Sequence, residues 1–430
     1  MSAYIGQSSP NAAANESAWV NIHSAGEIVI DACATGKIVP VSLAGSVVTK
    51  PSDANGVKSE FNGTEFRWGI GVSGDYSEAN IVDNVSAYLN GANLFGHENE
   101  QLLEIAGLNN TRLNIATGAA ALQFEGSQRS SVGFAGSASY SNYLSNVNVL
   151  VNQANISDFS ISLDARNNKT VGTFAAGLSG SNVGKIGVDV AGSLAINHVT
   201  NDTVAEIANT TGSELGSVEM AAIETDDIWA AAGTITFVTS FGEGVQNPDS
   251  VQTKVGFGFG FAQNLLSSTT HAIISESELE QTAGELSIAA EQASRSFVLS
   301  AGLVFEAGKG TGITPYGMVA LNQYTTADVQ AVVENSQIAS SSTGHAAGFV
   351  IASQLIPVMI TAAGDLGLSI AYKTGVGNEV SLGAGVSVTE VSITGNSIAS
   401  VNSSNITLDQ GNLEVSAYTG QAANATYLTN

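Results

Sequence analysis

The sequence predicts an all-β protein, a parallel β-helix built from degenerate repeats of about 60 residues. Three observations carry that expectation. Larger apolar residues stand at every second position in stretches such as "RWGIGVSGDYSEAN" (67–80), "SVGFAGSASYSN" (131–142), "KIGVDVAGSLAIN" (185–197), "KVGFGFGFAQN" (254–264) and "VSLGAGVSVTE" (380–390), and period two means strand. Such stretches return roughly every 55 to 70 residues, in the range of repeat architectures. The polar residues are mostly Ser, Thr, Asn and Gly, which compete with a helical backbone or lose too much entropy in one.

Each repeat reads as four strand-like blocks joined by short Asn, Ser, Gly or Asp turns. The first is the alternating stretch. The second has the form of "DNVSAYLNGANL" (83–94) or "ADVQAVVENSQI" (327–338). The third is a turn residue followed by apolar, any, apolar, any, Ala, as in "SDFSISLDA" (157–165) and "LGSVEMAA" (215–222). The fourth resembles "LNIATGAAALQF" (113–124) and "WAAAGTITFV" (229–238). The best helical candidate, 278–296, aligns at its centre with the third block and is read as strand. Residues 1–66 form a partial first repeat with a connecting loop, and 67–430 a continuous body of about six repeats.

Independent sandwich domains need about 100 residues each, so a solenoid fits better. Coils of roughly 20 to 30 residues, about two per repeat, would stack about 4.8 Å apart into a rod on the order of 60–80 Å long. Val, Ile, Leu, Phe and Ala would fill the interior. Asn and Gly would take the left-handed corners, and Asn, Ser and Thr would hydrogen-bond along the stack.

The charge balance excludes some partners. Thirteen Lys and Arg face 38 Asp and Glu, a net charge of −25. Nucleic acid and anionic membrane surfaces bind through basic residues and are not expected partners. The N-terminus has neither a basic n-region nor an apolar h-region, and no run of about 18 apolar residues occurs, so membrane insertion of this segment is not expected. Cys33 is the only cysteine; it excludes an internal disulfide and a cysteine-built zinc site and reads as a small buried residue.

The stretches that invite a chemical reading resolve into structure. Gly256, Gly258 and Gly260 alternate strictly, and no helix pattern follows, so this is not a dinucleotide loop. It reads as a core strand, with Phe257, Phe259 and Phe261 inward and the glycines on an open face. His23, His97, His198, His271 and His345 are scattered through different repeats at surface or turn positions. Glu224, Asp226 and Asp227 in "ETDDIW" (224–229) could hold calcium or act as acid and base, but read as a solvated acidic turn between two blocks. Arg67, Arg112, Arg129, Arg166 and Arg295 do not cluster with acids along the sequence. The sequons at Asn84, Asn155 and Asn424 are what a Ser/Thr/Asn-rich composition produces. No catalytic, cofactor-binding or metal residue is assigned, no cofactor is implied, and no enzyme is expected.

The pattern of "GAGVSVTEVSITGNSIASVNSSNITLDQGNLEVSAYTGQAANATY" (383–427) and "GSLAINHVTNDTVAEIA" (192–208) resembles the repeats of large bacterial filamentous adhesins, the filamentous-haemagglutinin-like and leukotoxin-like surface proteins. The resemblance covers the chain from about residue 67 onward. It implies a right-handed parallel β-helix, export as part of a longer chain to the cell surface or beyond, and attachment to a cell-surface or matrix component or to neighbouring copies. "NPDS" (247–250) matches the secretion signature of such proteins only in part. The expected function is a stiff stalk or attachment surface. The alternatives are a self-assembling filament or sheath subunit with end-to-end or lateral association, an outer-membrane β-barrel, and a β-helix polysaccharide-processing enzyme. The barrel is disfavoured by 7% aromatic content and an ending, "TYLTN", whose last residue is not aromatic.

Overall fold

In the computed structural model the chain is described at residues 1–7, 19–49, 68–97, 101–124, 130–182, 186–240, 252–308, 310–340, 348–371, 381–409 and 411–420. The described residues contain twenty strands and no helix. In chain order these are β1 (Ser2–Gly6), β2 (Val20–His23), β3 (Ile28–Ile38), β4 (Val41–Thr49), β5 (Trp68–Phe95), β6 (Leu102–Phe124), β7 (Ser130–Ser157), β8 (Ser160–Asn182), β9 (Ile186–Ala208), β10 (Thr211–Leu215), β11 (Val218–Ser240), β12 (Thr253–Ser275), β13 (Glu278–Gln281), β14 (Leu286–Gly308), β15 (Thr311–Glu334), β16 (Gln337–Ser340), β17 (Phe349–Ala371), β18 (Ser381–Asn402), β19 (Asn405–Leu408) and β20 (Leu413–Thr419).

All pairings are parallel and form two sheets. Sheet A runs β18-β15-β12-β9-β7, with β5 on the far side of β7 and the short strands β10, β13, β16 and β19 stacked from the end of β7 on the same side as β9. Sheet B runs β20-β17-β14-β11-β8-β6-β3, with β4 also on β6. The chain alternates between the sheets. The N-terminal strands extend the same stack, β1 and β2 on β5, β3 and β4 on β6. Neither sheet closes on itself among the described residues. Transmembrane barrels, by contrast, are closed and antiparallel.

Two expectations change here. From β5 onward, facing residues of neighbouring sheet A strands lie from 56 positions apart (Ser131 opposite Gly187, 187 − 131) to 69 (Gly312 opposite Ser381, 381 − 312), not 20 to 30. The four blocks are also not four strands. The first and second fuse into one strand of sheet A, and the third and fourth into one of sheet B. Asn, Ser and Thr between blocks looked like turns because they are polar. They instead point inward at mid-strand and bond to one another. The result is a broad slab. A 23-residue strand spans about 75 Å, while seven stacked strands rise only about 30 Å.

The interior is zoned along the strands. Where each sheet A strand hands over to sheet B, large side chains fill the space: Leu89, Leu94, Ile105, Ile156, Phe159, Leu163, Ile288 and Phe349 are fully or almost fully buried. Toward the other end the filling shrinks to Ala175, Ala195, Ala230, Ala232, Ala262 and Ala320. A polar seam lies between these zones.

The narrow end explains why the face assignment of "KVGFGFGFAQN" reverses. Gly256, Gly258 and Gly260 are buried, while Phe257 and Phe259 are 42% and 52% exposed. A Cβ on Gly258 would stand 3.3 Å from Thr234 and Val304, and one on Gly260 would stand 2.7 Å from Ser300 and 2.8 Å from Met318. The sheets approach too closely for phenylalanine, so alternation puts the rings outside. At Gly177 backbone faces backbone across the two sheets: an added Cβ would lie 2.6 Å from the carbonyl oxygen of Gly192. Gly177→Val is expected to destabilise the fold by about 1–3 kcal/mol by forcing the sheets apart. Gly136→Ala, where nothing lies within 4 Å of the added carbon, is expected to be neutral within about 0.5 kcal/mol. Denaturant titration of both variants checks the contrast.

A corner near the end of β5 and β7 and just after β9, β12, β15 and β18 uses a stacked column of left-handed residues: Gly91, Gln153, Asn209, Glu276, Asn335 and Ser403, with φ between 47° and 67°. Their preceding residues, Asn90, Asn152, Ala208, Ser275, Glu334 and Asn402, are in register. Gly and Asn suit this conformation; Gln153, Glu276 and Ser403 are held in it by the stack. Hydroxyls follow the column. Thr210, Ser277, Ser336 and Ser404 each donate to the carbonyl two residues back, at 2.7 to 2.8 Å. The hydroxyls of Ser277, Ser336 and Ser404 each accept the backbone N–H of the preceding coil's hydroxyl residue at 3.1 Å. This satisfies buried donors that a corner would otherwise strand.

Candidate functional site

Two places in the slab carry functional potential, one outside and one within. The outer one lies on sheet A. Gly74, Gly136 and Gly192 face each other across β5, β7 and β9, and the next residue in that row is Phe259. Three glycines in register leave a trough of about 540 Å³ floored by backbone. Tyr76, Ala138 and Leu194 form its side and Phe259 its end. The flanking row is Val72, Phe134, Val190 and Phe257. No Lys or Arg lines the trough. Such a surface offers flat apolar contact and exposed aromatic faces to a partner.

The inner place is the polar seam. Ser141 donates to Asn197 Oδ1 at 2.6 Å, Asn197 to Asn264 Oδ1 at 2.9 Å, Asn264 to Ser296 Oγ at 2.8 Å, and Ser296 to Asn322 Oδ1 at 2.6 Å. The ladder crosses between the sheets and runs through the stack. Next to it lie Lys169, Glu224 and Asp226, all with fully buried side chains. Lys169 Nζ is 3.1 Å from Asp226 Oδ1 and 4.0 Å from Glu224 Oε1. Lys169 and Asp226 are directly opposed on β8 and β11. Asn201 Nδ2 donates to Glu224 Oε1 at 2.6 Å and to Asp226 Oδ2 at 3.0 Å. Ser268 and Thr270 donate to Glu224 Oε2 at 2.5 and 3.2 Å, and Ser294 to Asp226 Oδ2 at 3.4 Å.

Burial pushes the Asp226 carboxyl well above the usual carboxylate range; Lys169 opposes the shift and Glu224 adds to it. Tyr324 is raised by burial and by the same two carboxylates. A second buried acid, Asp189, accepts hydrogen bonds from Ser179 and Ser181 and is pushed up to about 7 by burial, which those bonds only partly offset. Lys254 and Glu306 form another buried ion pair, at 3.5 Å.

The acidic stretch is therefore not a solvated turn. Glu224 and Asp226 lie mid-strand in β11 and face inward, while Asp227 alternates outward. Lys169 escaped attention because it has no acidic neighbour in sequence. Strand parity carried the signal: Leu163, Ala165, Asn167, Lys169 and Val171 share one face, as do Met220, Ala222, Glu224, Asp226 and Ile228.

The histidines do not converge. His23 stacks on Phe95 at 4.8 Å, and His271 pairs with Asp328 at 3.3 Å. His97 is exposed and His198 half-buried. His345, residues 247–250 and Asn424 lie outside the described residues. No group of three or more His, Cys, Asp or Glu that could hold a metal occurs among the described residues. Cys33 is half-buried rather than buried, being on β3 near the edge of sheet B. Arg166 bonds Asp164 on its own strand, at 2.7 Å. Asn84 and Asn155 belong to outer asparagine ladders, bonded with Asn146 at 2.9 Å and Asn93 at 2.8 Å.

No protein-family model, curated protein or solved structure matches this chain.

Proposed function

We propose that this chain is a structural and adhesive segment of a large secreted or cell-surface protein, a right-handed β-helix with degenerate repeats of about 60 residues acting as a stiff attachment surface. The observation that carries the reading is the parallel register that runs through both sheets and makes one slab with asparagine and serine ladders in its interior. The handedness rests on the general preference for right-handed crossovers between parallel strands. The glycine trough with Phe259 at its end is the surface best suited to contact a partner.

The test is attachment. Beads coated with the purified chain are exposed to cells and to immobilised matrix proteins. Saturable attachment, reduced about tenfold by Phe259→Ser, is the expected result for a central aromatic anchor. No attachment to any surface would overturn the adhesive role.

A second reading, a self-assembling filament or sheath subunit, is favoured by one observation. Among the described residues, the edge strand β18 pairs only with β15 and leaves Leu382, Val386, Val388, Val391 and Ile393 exposed. Exposed strand edges pair with other chains. Filaments in electron micrographs of the purified chain, forming with rising concentration, would support this reading over the first.

A further inference from the structure

The geometry points to an internal amide cross-link: we infer that Lys169 Nζ condenses with the side-chain carboxyl of Asp226, assisted by Glu224, to join β8 and β11 by an isopeptide bond. The inference does not rest on the proposed function.

Four observations carry it. The amine and the acid are in direct contact, 3.1 Å between Nζ and Oδ1, the oxygen that would leave. Among the described residues, and outside that ion pair, neither Lys169 Nζ nor Asp226 Oδ1 has a hydrogen-bond partner, although both are fully buried. The other oxygen, Asp226 Oδ2, receives N–H from Asn201 and O–H from Ser294, the polarisation a carbonyl needs to accept a nucleophile. Glu224 lies 4.0 Å from the amine, held by Asn201, Ser268 and Thr270, where it can shuttle protons.

The chemistry balances without an added reactant. Glu224 takes one proton from the Lys169 ammonium and leaves a neutral amine. The amine lone pair attacks Cγ of protonated Asp226, and a C–N bond forms. Its charge collects on Oδ2, facing Asn201 and Ser294. The C–Oδ1 bond then breaks. Oδ1 departs as water with the acid's own proton and a second proton from the nitrogen, relayed through Glu224. The products are a neutral amide, one water and a protonated Glu224. Burial favours each part of this. It disfavours the separated ions, it raises the hold of the Asp226 carboxyl on a proton, and it excludes the bulk water that would reverse the condensation. Removing a buried charge pair by making it an amide also removes its desolvation penalty.

Two features set this pair apart from the other lysine buried among the described residues. Lys254 and Glu306 are farther apart, at 3.5 Å, and they join sheet A to sheet B rather than facing residues of adjacent strands.

The test is mass spectrometry of the purified full-length chain after denaturation. The expected intact mass is lower than the sequence mass by one water. Trypsin is expected to spare Lys169 and to release a branched peptide joining 167–185 to 186–254 through Lys169 and Asp226. Glu224→Gln, which keeps the shape but removes the proton shuttle, is expected to restore the full mass. A wild-type chain at its full sequence mass would overturn the inference. So would a water loss mapped to another residue, such as a cyclised aspartate, or one that persists in Lys169→Met. The wild-type digest decides the matter even if the variants do not fold.

Discussion

Lys169→Met is expected to lower the unfolding free energy at pH 7 by about 3–5 kcal/mol. The substitution removes the cation that faces Glu224 and Asp226 in a dry interior and leaves two buried acids close together. Asn201, Ser268 and Thr270 still hydrogen-bond Glu224, but none of them carries charge. Where the amide has formed, the loss is larger, because the cross-link also restrains the unfolded chain. The triple variant Lys169→Met, Glu224→Gln, Asp226→Leu is expected to recover most of the loss, since a matched apolar replacement of a buried ion cluster is tolerated far better than a broken one. Denaturant titration of both proteins measures this. A single-variant loss below about 1 kcal/mol would contradict the assignment of these charges to the interior.

Asp189→Asn is expected to act in the opposite direction and only at higher pH. The Asp189 carboxyl titrates near 7 in the folded protein against 3.8 in the ordinary case. The fold therefore binds its proton more tightly than the unfolded chain does. The stability it contributes is fully present below about pH 4 and is lost as pH rises through about 7. Each pH unit in that window is worth about 1.4 kcal/mol, so a cost of about 2–4 kcal/mol has accrued by pH 8. Asparagine keeps an acceptor oxygen for one of the two serines and offers its Nδ2–H to the hydroxyl oxygen of the other, without the charge. The variant is expected to match wild type at pH 4 and exceed it by that margin at pH 8. Unfolding curves at the two pH values supply the comparison, and equal differences at both would remove Asp189 as the cause. Other raised acids, Glu206 and Glu291 among them, are common to both proteins and cancel.

How much of this was legible beforehand varies from element to element. The strands at 131–142 and 185–197 were plain from alternation, and the helix-like 278–296 was rightly read as β because it aligned with other copies. The asparagine ladders were expected from composition, and Asn209 and Asn335 do occupy left-handed corners. Breaks between blocks were misread, because polarity alone cannot separate a solvated turn from a buried polar seam. In "ETDDIW" the acids keep the parity of Met220 and Ala222, yet charge suggested solvent. The partner that changes this, Lys169, lies 57 positions earlier (226 − 169) and meets Asp226 only through the register of β8 with β11.

By itself the sequence determined the strand state and the recurrence. Period-two alternation and the scarcity of helix-forming polar residues act locally, on each segment's own backbone. Which face of each strand turns inward, where the slab narrows, and which charges meet were decided by the tertiary structure. Those depend on the distance between the two sheets and on the cross-strand register, and both arise only when segments about 60 residues apart stack. The phenylalanines of "KVGFGFGFAQN" lie outside for that reason. Their alternation is a property of the strand, but their direction is set by Thr234, Ser300 and Val304 pressing against the glycines from the opposite sheet.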